Sequence, residues 1–346
     1  MNTTFDARSD GRPLESERTI RLRAAQILGR YNKSHDELHS LLHGLRNATD
    51  VDSVVYSGVK AIVLGVLKRL NTIDFLISKS SSRGTTESLT AWEKGTLRAF
   101  VYEYTIQSTP LSRLRTLYPF MSKRAYAAAR RATQRDLTAL ANRLPEVQRL
   151  SVLYSHPTFM VETLLKNMTE SEAIMLMEAN NSSRDYFIRV NRLKAEEEAV
   201  VAELGSHNLR FMRDPEVQGV FRVSSGISDL VTSDHFRNGE ILVQDKASVL
   251  AAKALQAKEG DTVWDACAAP GMKTQLLWEE MNGSGRLIAT DRSMDRLVDA
   301  ASRGKRLGMD DVQWVCADAS KCPVRNADLI LIDAPCSSTG VFRSHP

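Results

Sequence analysis

Three aspartates recur at equivalent places in the last quarter of the chain, each at the end of a short apolar run. Arg286–Asp291, Val312–Asp318 and Asp328–Cys336 read as strands that deliver an acid near the carboxyl end, at Asp291, Asp318 and Asp333. A fourth run, Val263–Cys267, leads into the small residues Ala268, Ala269, Pro270 and Gly271, with a helix starting near Lys273. Such a turn offers free backbone N–H groups and the positive end of a helix to a ligand, and Gly271 can take positive φ. An acid after the second strand is placed to accept hydrogen bonds from ribose hydroxyls. The set therefore suits a nucleoside. No G-x-G-x-x-G series is present for a pyrophosphate, so the phosphate-free S-adenosylmethionine fits better than a dinucleotide. Taken singly, each acid reads about as well as a cap on the next helix; three at equivalent ends favour the ligand.

The elements that must position these residues follow an α/β rhythm. Helical stretches, Gln275–Met281 and Asp295–Leu307, separate the runs Val263–Cys267, Arg286–Asp291 and Val312–Asp318, which argues for a parallel sheet with helices on its faces. Asp333 stands three residues before Cys336, with Pro335 holding the turn between them.

Asp265-Ala-Cys-Ala-Ala-Pro-Gly-Met-Lys-Thr274 together with Asp333-Ala-Pro-Cys-Ser-Ser-Thr-Gly340 resembles the RNA cytosine-5 methyltransferases. The nearest branch is the small-subunit rRNA methyltransferases with a NusB-type helical domain at the N-terminus. The resemblance implies a multidomain chain. A NusB-like all-α RNA-binding bundle would cover 17–145, and a small RRM-like α/β insert 150–235. A Rossmann-like class I S-adenosylmethionine-dependent methyltransferase α/β domain, incomplete, would cover 236–346. It also implies that Cys267, Ala268, Ala269, Pro270, Gly271, Met272 and Lys273 hold the amino-acid end of S-adenosylmethionine. Asp291 would hold the ribose, with Arg296 pairing to it, and Asp318 the adenine amino group. Asp333 would lie near both the methyl group and the cytosine. Met272 departs from the family, where Gly is usual; a side chain there narrows the pocket without adding charge, so binding is expected to survive.

The implied chemistry is covalent. A thiolate adds to cytosine C6, C5 attacks the methyl group, and elimination restores the ring. An acid at the ring nitrogen, here Asp333, stabilises the adduct. In the RNA family the attacking cysteine lies in a later Thr-Cys motif, and the Pro-Cys thiol, here Cys336, helps release the product. The sequence ends at Pro346, before any such motif, so the main nucleophile is expected C-terminal to Pro346. The expectation is therefore a chain truncated by roughly 80 to 120 residues, on domain-size grounds, and unable to turn over alone. A non-catalytic RNA-binding or assembly protein on the same scaffold, or a tRNA enzyme, remains the alternative.

The rest of the chain sets bounds. Its 346 residues allow two or three domains, and 42% hydrophobic with 25% charged content is ordinary for a globular protein. No apolar run approaches the roughly 20 residues of a membrane span, and residues 1–16 read as a disordered tail without an apolar signal core. A cytoplasmic monomer is expected. The four cysteines, Cys267, Cys316, Cys322 and Cys336, form no C-x-x-C pair, so neither a disulfide framework nor a metal site is expected. Net charge is only +4, but nine basic residues crowd Arg113–Arg149 (Arg113, Arg115, Lys123, Arg124, Arg130, Arg131, Arg135, Arg143, Arg149) against Asp136 and Glu146. That stripe, with Arg130 and Arg131 at its centre, is read as an RNA contact.

Helical periodicity marks Ile20–Leu28, Val59–Leu67 and Leu97–Tyr104, with a loop at Ser80–Thr86. Ser155 or His156 is expected to cap a helix opening at Pro157, followed by a helix Met168–Ala179 and a loop Asn180–Ser183. Tyr186–Asn191 alternates like a strand; Arg189, Arg192 and Lys194 are candidates for the RNA path. A helix over Gln244–Gln256 supports the sheet and is assigned no chemistry.

Overall fold

The computed structural model describes residues 13–31, 35–46, 48, 51–80, 89–182, 185–205, 209–321, 324–336 and 342. Residues 1–12 of the expected tail, the loop after Ser80, Ser183, Cys322 and the Ser337–Gly340 end of the second motif lie outside them, whereas Leu14–Ser16, expected in the tail, open the first helix. So does Pro346, and the expectation of an attacking thiol C-terminal to it falls outside the described residues as well. Backbone contacts divide the chain near residue 184 into a helical unit and an α/β unit.

The helical unit comprises α1 (Leu14–Arg30), α2 (His35–Arg46), α3 (Ser53–Lys68), α4 (Leu70–Ser80), α5 (Ala91–Thr105), α6 (Leu111–Leu117), α7 (Lys123–Thr133), α8 (Leu137–Ala141), α9 (Glu146–Tyr154), α10 (Thr158–Asn167) and α11 (Glu170–Asn181). Its main core gathers Ile20, Leu28, Val59, Val63, Leu97, Phe100 and Leu117. α1 and α5 approach closely because glycines face each other: a Cβ on Gly95 would strike the Ala25 carbonyl and the Gly29 backbone. Inside the interface Arg98 is 3% exposed, forked onto Asp74 at 2.7 and 2.6 Å and bonded to the Leu28 carbonyl. A smaller core of Leu150, Val161, Ala173 and Met177 joins α9, α10 and α11.

Two readings of this region change. His156 caps nothing. It is fully buried, its Nδ1 bonds the Tyr154 carbonyl at 2.7 Å and its Nε2 lies 3.2 Å from Asn180 Nδ2. Pro157 precedes α10 without a side-chain cap. Asn180 and Asn181 belong to the last turn of α11 rather than to a loop, because Asn181 Nδ2 donates to the Tyr154 carbonyl at 2.6 Å and ties that turn down.

The α/β unit runs β1 (Tyr186–Val190), α12 (Glu197–Leu204), β2 (Arg210–Arg213), β3 (Val220–Ser225), α13 (Ile227–Leu230), α14 (Asp234–Arg237), β4 (Ile241–Val243), α15 (Lys246–Lys253), β5 (Thr262–Asp265), α16 (Met272–Glu280), β6 (Arg286–Asp291), α17 (Met294–Arg306), β7 (Gln313–Cys316) and β8 (Leu329–Leu331). The first four strands form an antiparallel sheet in the order β2-β3-β1-β4, and the last four a parallel sheet in the order β7-β6-β5-β8. Asp265 of β5 stands level with Ala289 of β6 and Leu331 of β8. β8 ends at Leu331, short of the run expected to reach Cys336. It lies at the sheet edge among the described residues; Leu331 is buried, while Ile330 and Ile332 are exposed.

The glycine contact between α1 and α5 yields a direct expectation. Gly95→Ala should lower the stability of the helical unit by about 1–3 kcal/mol, the usual effect of forcing a methyl group into a packed interface. Urea unfolding followed by circular dichroism reads it as a lower midpoint, and an unchanged midpoint would contradict the close approach.

Candidate active site

β5 ends at Asp265, whose side chain is 1% exposed. Thr274, nine residues on and in the first turn of α16, donates its Oγ1 to Asp265 Oδ2 at 2.7 Å. Among the described residues Oδ1 has no hydrogen-bond partner. Burial pushes this carboxyl up to about 6; the Thr274 hydrogen bond, the Lys273 ammonium and the nearby Cys267 backbone N–H oppose the shift, and Asp333 adds to it. A buried carboxylate oxygen without a donor is costly in an apolar setting, so it marks a place where a ligand donor fits.

The turn after β5 is held from both sides. Ala266 N–H donates to the Leu331 carbonyl at 2.9 Å, and Ala268 N–H to the Thr290 carbonyl at 2.8 Å. Thr290 Oγ1 receives the Trp264 indole N–H at 3.0 Å and donates to the Ala266 carbonyl at 3.0 Å. The Ala269–Pro270 peptide is cis. Gly271 has φ +93°, a conformation that favours glycine, and a Cβ there would press on the Trp314 ring at 3.3 Å. Gly271 is also the N-cap of α16 and provides no side-chain cap, which leaves first-turn N–H groups for an outside acceptor.

α17 supplies counter-charge to the turn's carbonyls. Arg296 Nη2 donates to the Ala269 carbonyl at 2.5 Å and Arg303 Nη1 to the Pro270 carbonyl at 2.8 Å. Arg296 Nη1 also lies 3.5 Å from Asp291 Oδ2. Asp291 is 5% exposed, and its Oδ1 accepts the Ser293 N–H at 2.9 Å. Asp318 is exposed and accepts the Ser320 N–H at 2.9 Å, which holds its carboxyl below the usual range. Both acids thus close turns two residues long while leaving acceptor capacity at the rim. Asp333 is exposed and its Oδ2 pairs with Lys273 Nζ at 2.5 Å.

The thiols differ in setting. Cys267 is half-buried, and burial together with Asp265, Asp291 and Asp333 pushes its thiol up, so it stays protonated near neutral pH. Cys336 is exposed, five residues past β8. Met272 does not project freely: its side chain packs against the core that includes Leu276, Leu277 and Met281.

The candidate RNA residues separate. Arg189 is not on a surface: it is 3% exposed and its guanidinium is committed to Gln244, Glu279 and Gln275. Lys194 and Arg130 are exposed. Arg131 is exposed but donates Nε to the Ser80 carbonyl at 2.7 Å. In the same stripe Arg113 pairs with Glu17 and Arg149 with Glu170.

Asp265, Thr274 and Arg303 were not picked out as site residues by sequence reasoning. The signals were present: Asp265 and Thr274 open and close the quoted turn, and Arg303 lies two helical turns beyond Arg296 on one face. Among the described residues no group of three or more His, Cys, Asp or Glu is placed to hold a metal, and no helix is long and apolar enough to cross a membrane.

Three family models match successive stretches: the NusB family at 18–112, the ferredoxin-like domain of RsmF/B-like methyltransferases at 156–228, and "16S rRNA methyltransferase RsmB/F" at 252–346. The chain is 28% identical over 204 residues to the probable ribosomal RNA small subunit methyltransferase B of Bacillus subtilis, which covers 58% of this chain and 45% of that protein. It is 26% identical over 352 residues to ribosomal RNA small subunit methyltransferase B of Escherichia coli O157:H7, covering 96% and 78%. The chain thus spans less than half the length of the Bacillus relative. Among solved structures, PH0851 superposes with a TM-score of 0.70 at 26% identity, over 97% of this chain and 78% of that one.

The raised Asp265 carboxyl gives a pH-dependent expectation. Its folded value lies above the unfolded 3.8, so the folded state binds this proton more tightly. The stability that the proton gives is full below about pH 4 and is lost as pH rises through about 6. At roughly 1.4 kcal/mol per pH unit the loss approaches 3 kcal/mol. Asp265→Asn keeps an acceptor for Thr274 and removes the buried charge. It should raise the Tm of the ligand-free protein at pH 7.5 but not at pH 4.5, and an equal effect at both would contradict the burial argument.

Proposed function

We propose, from the similarity of this chain to RsmB/F-type methyltransferases, that it binds S-adenosylmethionine at the rim of its parallel sheet and methylates cytosine C5 in RNA, with rRNA as the substrate class. The observation that carries the reading is the joint arrangement at the carboxyl edge: an uncapped α16, an unpartnered Asp265 oxygen, and Asp291, Asp318 and Asp333 following three successive strands of the sheet. These groups fit the donor's chemistry. First-turn N–H groups of α16 suit its carboxylate, Asp265 Oδ1 suits its ammonium, Asp291 its ribose hydroxyls and Asp318 its adenine amino group. When bound, the donor supplies an electrophilic methyl group on sulfonium sulfur.

The chain's own residues do the rest. Arg296 and Arg303 neutralise the turn's carbonyls, so the backbone presents donors rather than acceptors to the ligand. Lys273 orients Asp333 at the rim, where its carboxyl group in the acid form donates to the cytosine ring nitrogen. Addition of a thiolate other than that of Cys336 at C6 makes C5 nucleophilic, and the thiol of Cys336 assists release of the methylated base. Arg130, Arg131 and Lys194 supply phosphate contacts, and the protein acts as a cytoplasmic monomer.

Two measurements test this. Asp291→Ala removes a charge-assisted hydrogen bond, worth about 1.5–3 kcal/mol; isothermal titration should show S-adenosylmethionine binding about 10- to 100-fold weaker with an unchanged circular dichroism spectrum. Unchanged affinity would reject the ribose role. Where an attacking thiol other than Cys336 is present, Cys336→Ala should accumulate an RNA–protein adduct that survives denaturing electrophoresis. Loss of adduct would instead make Cys336 the attacking thiol.

A further inference from the structure

We propose that Arg189 is a positioning residue for the cofactor turn, acting from the antiparallel sheet through Gln244 and the inner face of α16. The inference rests on reading that turn as the donor site. Arg189 lies on β1 and its fork is fully used. Nε donates to Gln244 Oε1 at 2.7 Å, Nη1 to Glu279 Oε2 at 2.7 Å, and Nη2 to Gln275 Oε1. Gln275 and Glu279 are four apart on α16 and so share one face; both are buried. Two acceptors on one face of α16, Gln275 and Glu279, bonded at fixed directions to one guanidinium, set the rotation of α16 about its axis, which an apolar contact does not.

The link continues to the turn itself. Gln244 Nε2 donates to the Met272 carbonyl at 3.3 Å. That carbonyl shares a rigid, planar peptide with the Lys273 N–H, and the two point opposite ways along the helix. Holding the Met272 oxygen therefore aims the Lys273 N–H at the ligand side of the turn. Gln275 Nε2 adds a bond to Asn191 Oδ1 at 2.7 Å, and Asn191 Nδ2 in turn grips the carbonyls of Gly239 at 2.8 Å and Leu307 at 2.9 Å. At the outer end Arg192 is half exposed and bonds Glu279 at 2.9 Å and Glu280 at 2.8 Å. A buried arginine–glutamate pair is weak evidence for stability as such; its directional end-point at Met272 gives this one a purpose.

Gln244→Glu separates positioning from packing. The variant still accepts from Arg189 but has no N–H for the Met272 carbonyl. Isothermal titration of S-adenosylmethionine into the full protein should show a dissociation constant about tenfold higher, with Tm within a few degrees of the parent. Arg189→Lys, which keeps the charge and loses the fork, should weaken binding by at least as much. Parent-like affinity in both variants, whatever happens to Tm, would overturn the proposal. A parent protein that binds no donor would overturn the site reading beneath it.

Discussion

A single carboxylate taken out of water sets the terms for the rest of this structure. Asp265 closes the central strand β5, flanked by β6 and β8, and is almost wholly buried with one oxygen unpartnered. Burial favours the neutral form of a group in that position unless a donor arrives, and pushes this carboxyl up to about 6. The surroundings are organised to keep the place open rather than to fill it. Gly271 turns the chain with positive φ, Thr274 satisfies one carboxylate oxygen and no more, and the arginines of α17 are drawn to the turn's outward carbonyls. Cost at one position, borne by a rigid sheet, is the usual mark of a binding site.

The parallel-sheet half was legible because its signals are local. Apolar runs closed by an acid or a small-residue turn located β5 to β8 and the helices between them, and the run Arg286–Asp291 coincides with β6. β8 was overestimated because the apolar pattern through Ile332 continues past the last ladder pairing, which ends with Leu331 against Asp265. What local pattern does not carry is a partner far along the chain. Arg189 alternates in a strand as an exposed residue would, and only Glu279, ninety positions later, makes its burial possible. His156 was misread in the same way: Ser-His-Pro looks like a helix start, yet the imidazole is claimed by Tyr154 and by Asn180 on another helix.

Charge is spent unevenly along the molecule, and this decides which basic residues are available to a polyanion. Of the basic stripe, Arg113 and Arg149 are engaged with carboxylates and Arg131 with a backbone carbonyl. Their contribution to a phosphate contact is reduced by the partners they must release, and an exposed pair is held by little. Arg130 and Lys194 stand exposed, which makes them better suited to contacts that respond to salt.

The central claim is that the carboxyl rim of the parallel sheet grips a methyl-donor nucleoside. A crystal structure of the protein grown with S-adenosylmethionine tests it most directly. The account predicts donor density over the turn at Cys267–Lys273, with the ribose against Asp291 and the ammonium within hydrogen-bonding distance of Asp265 Oδ1. Donor density at another place, with the rim filled only by solvent, would contradict it.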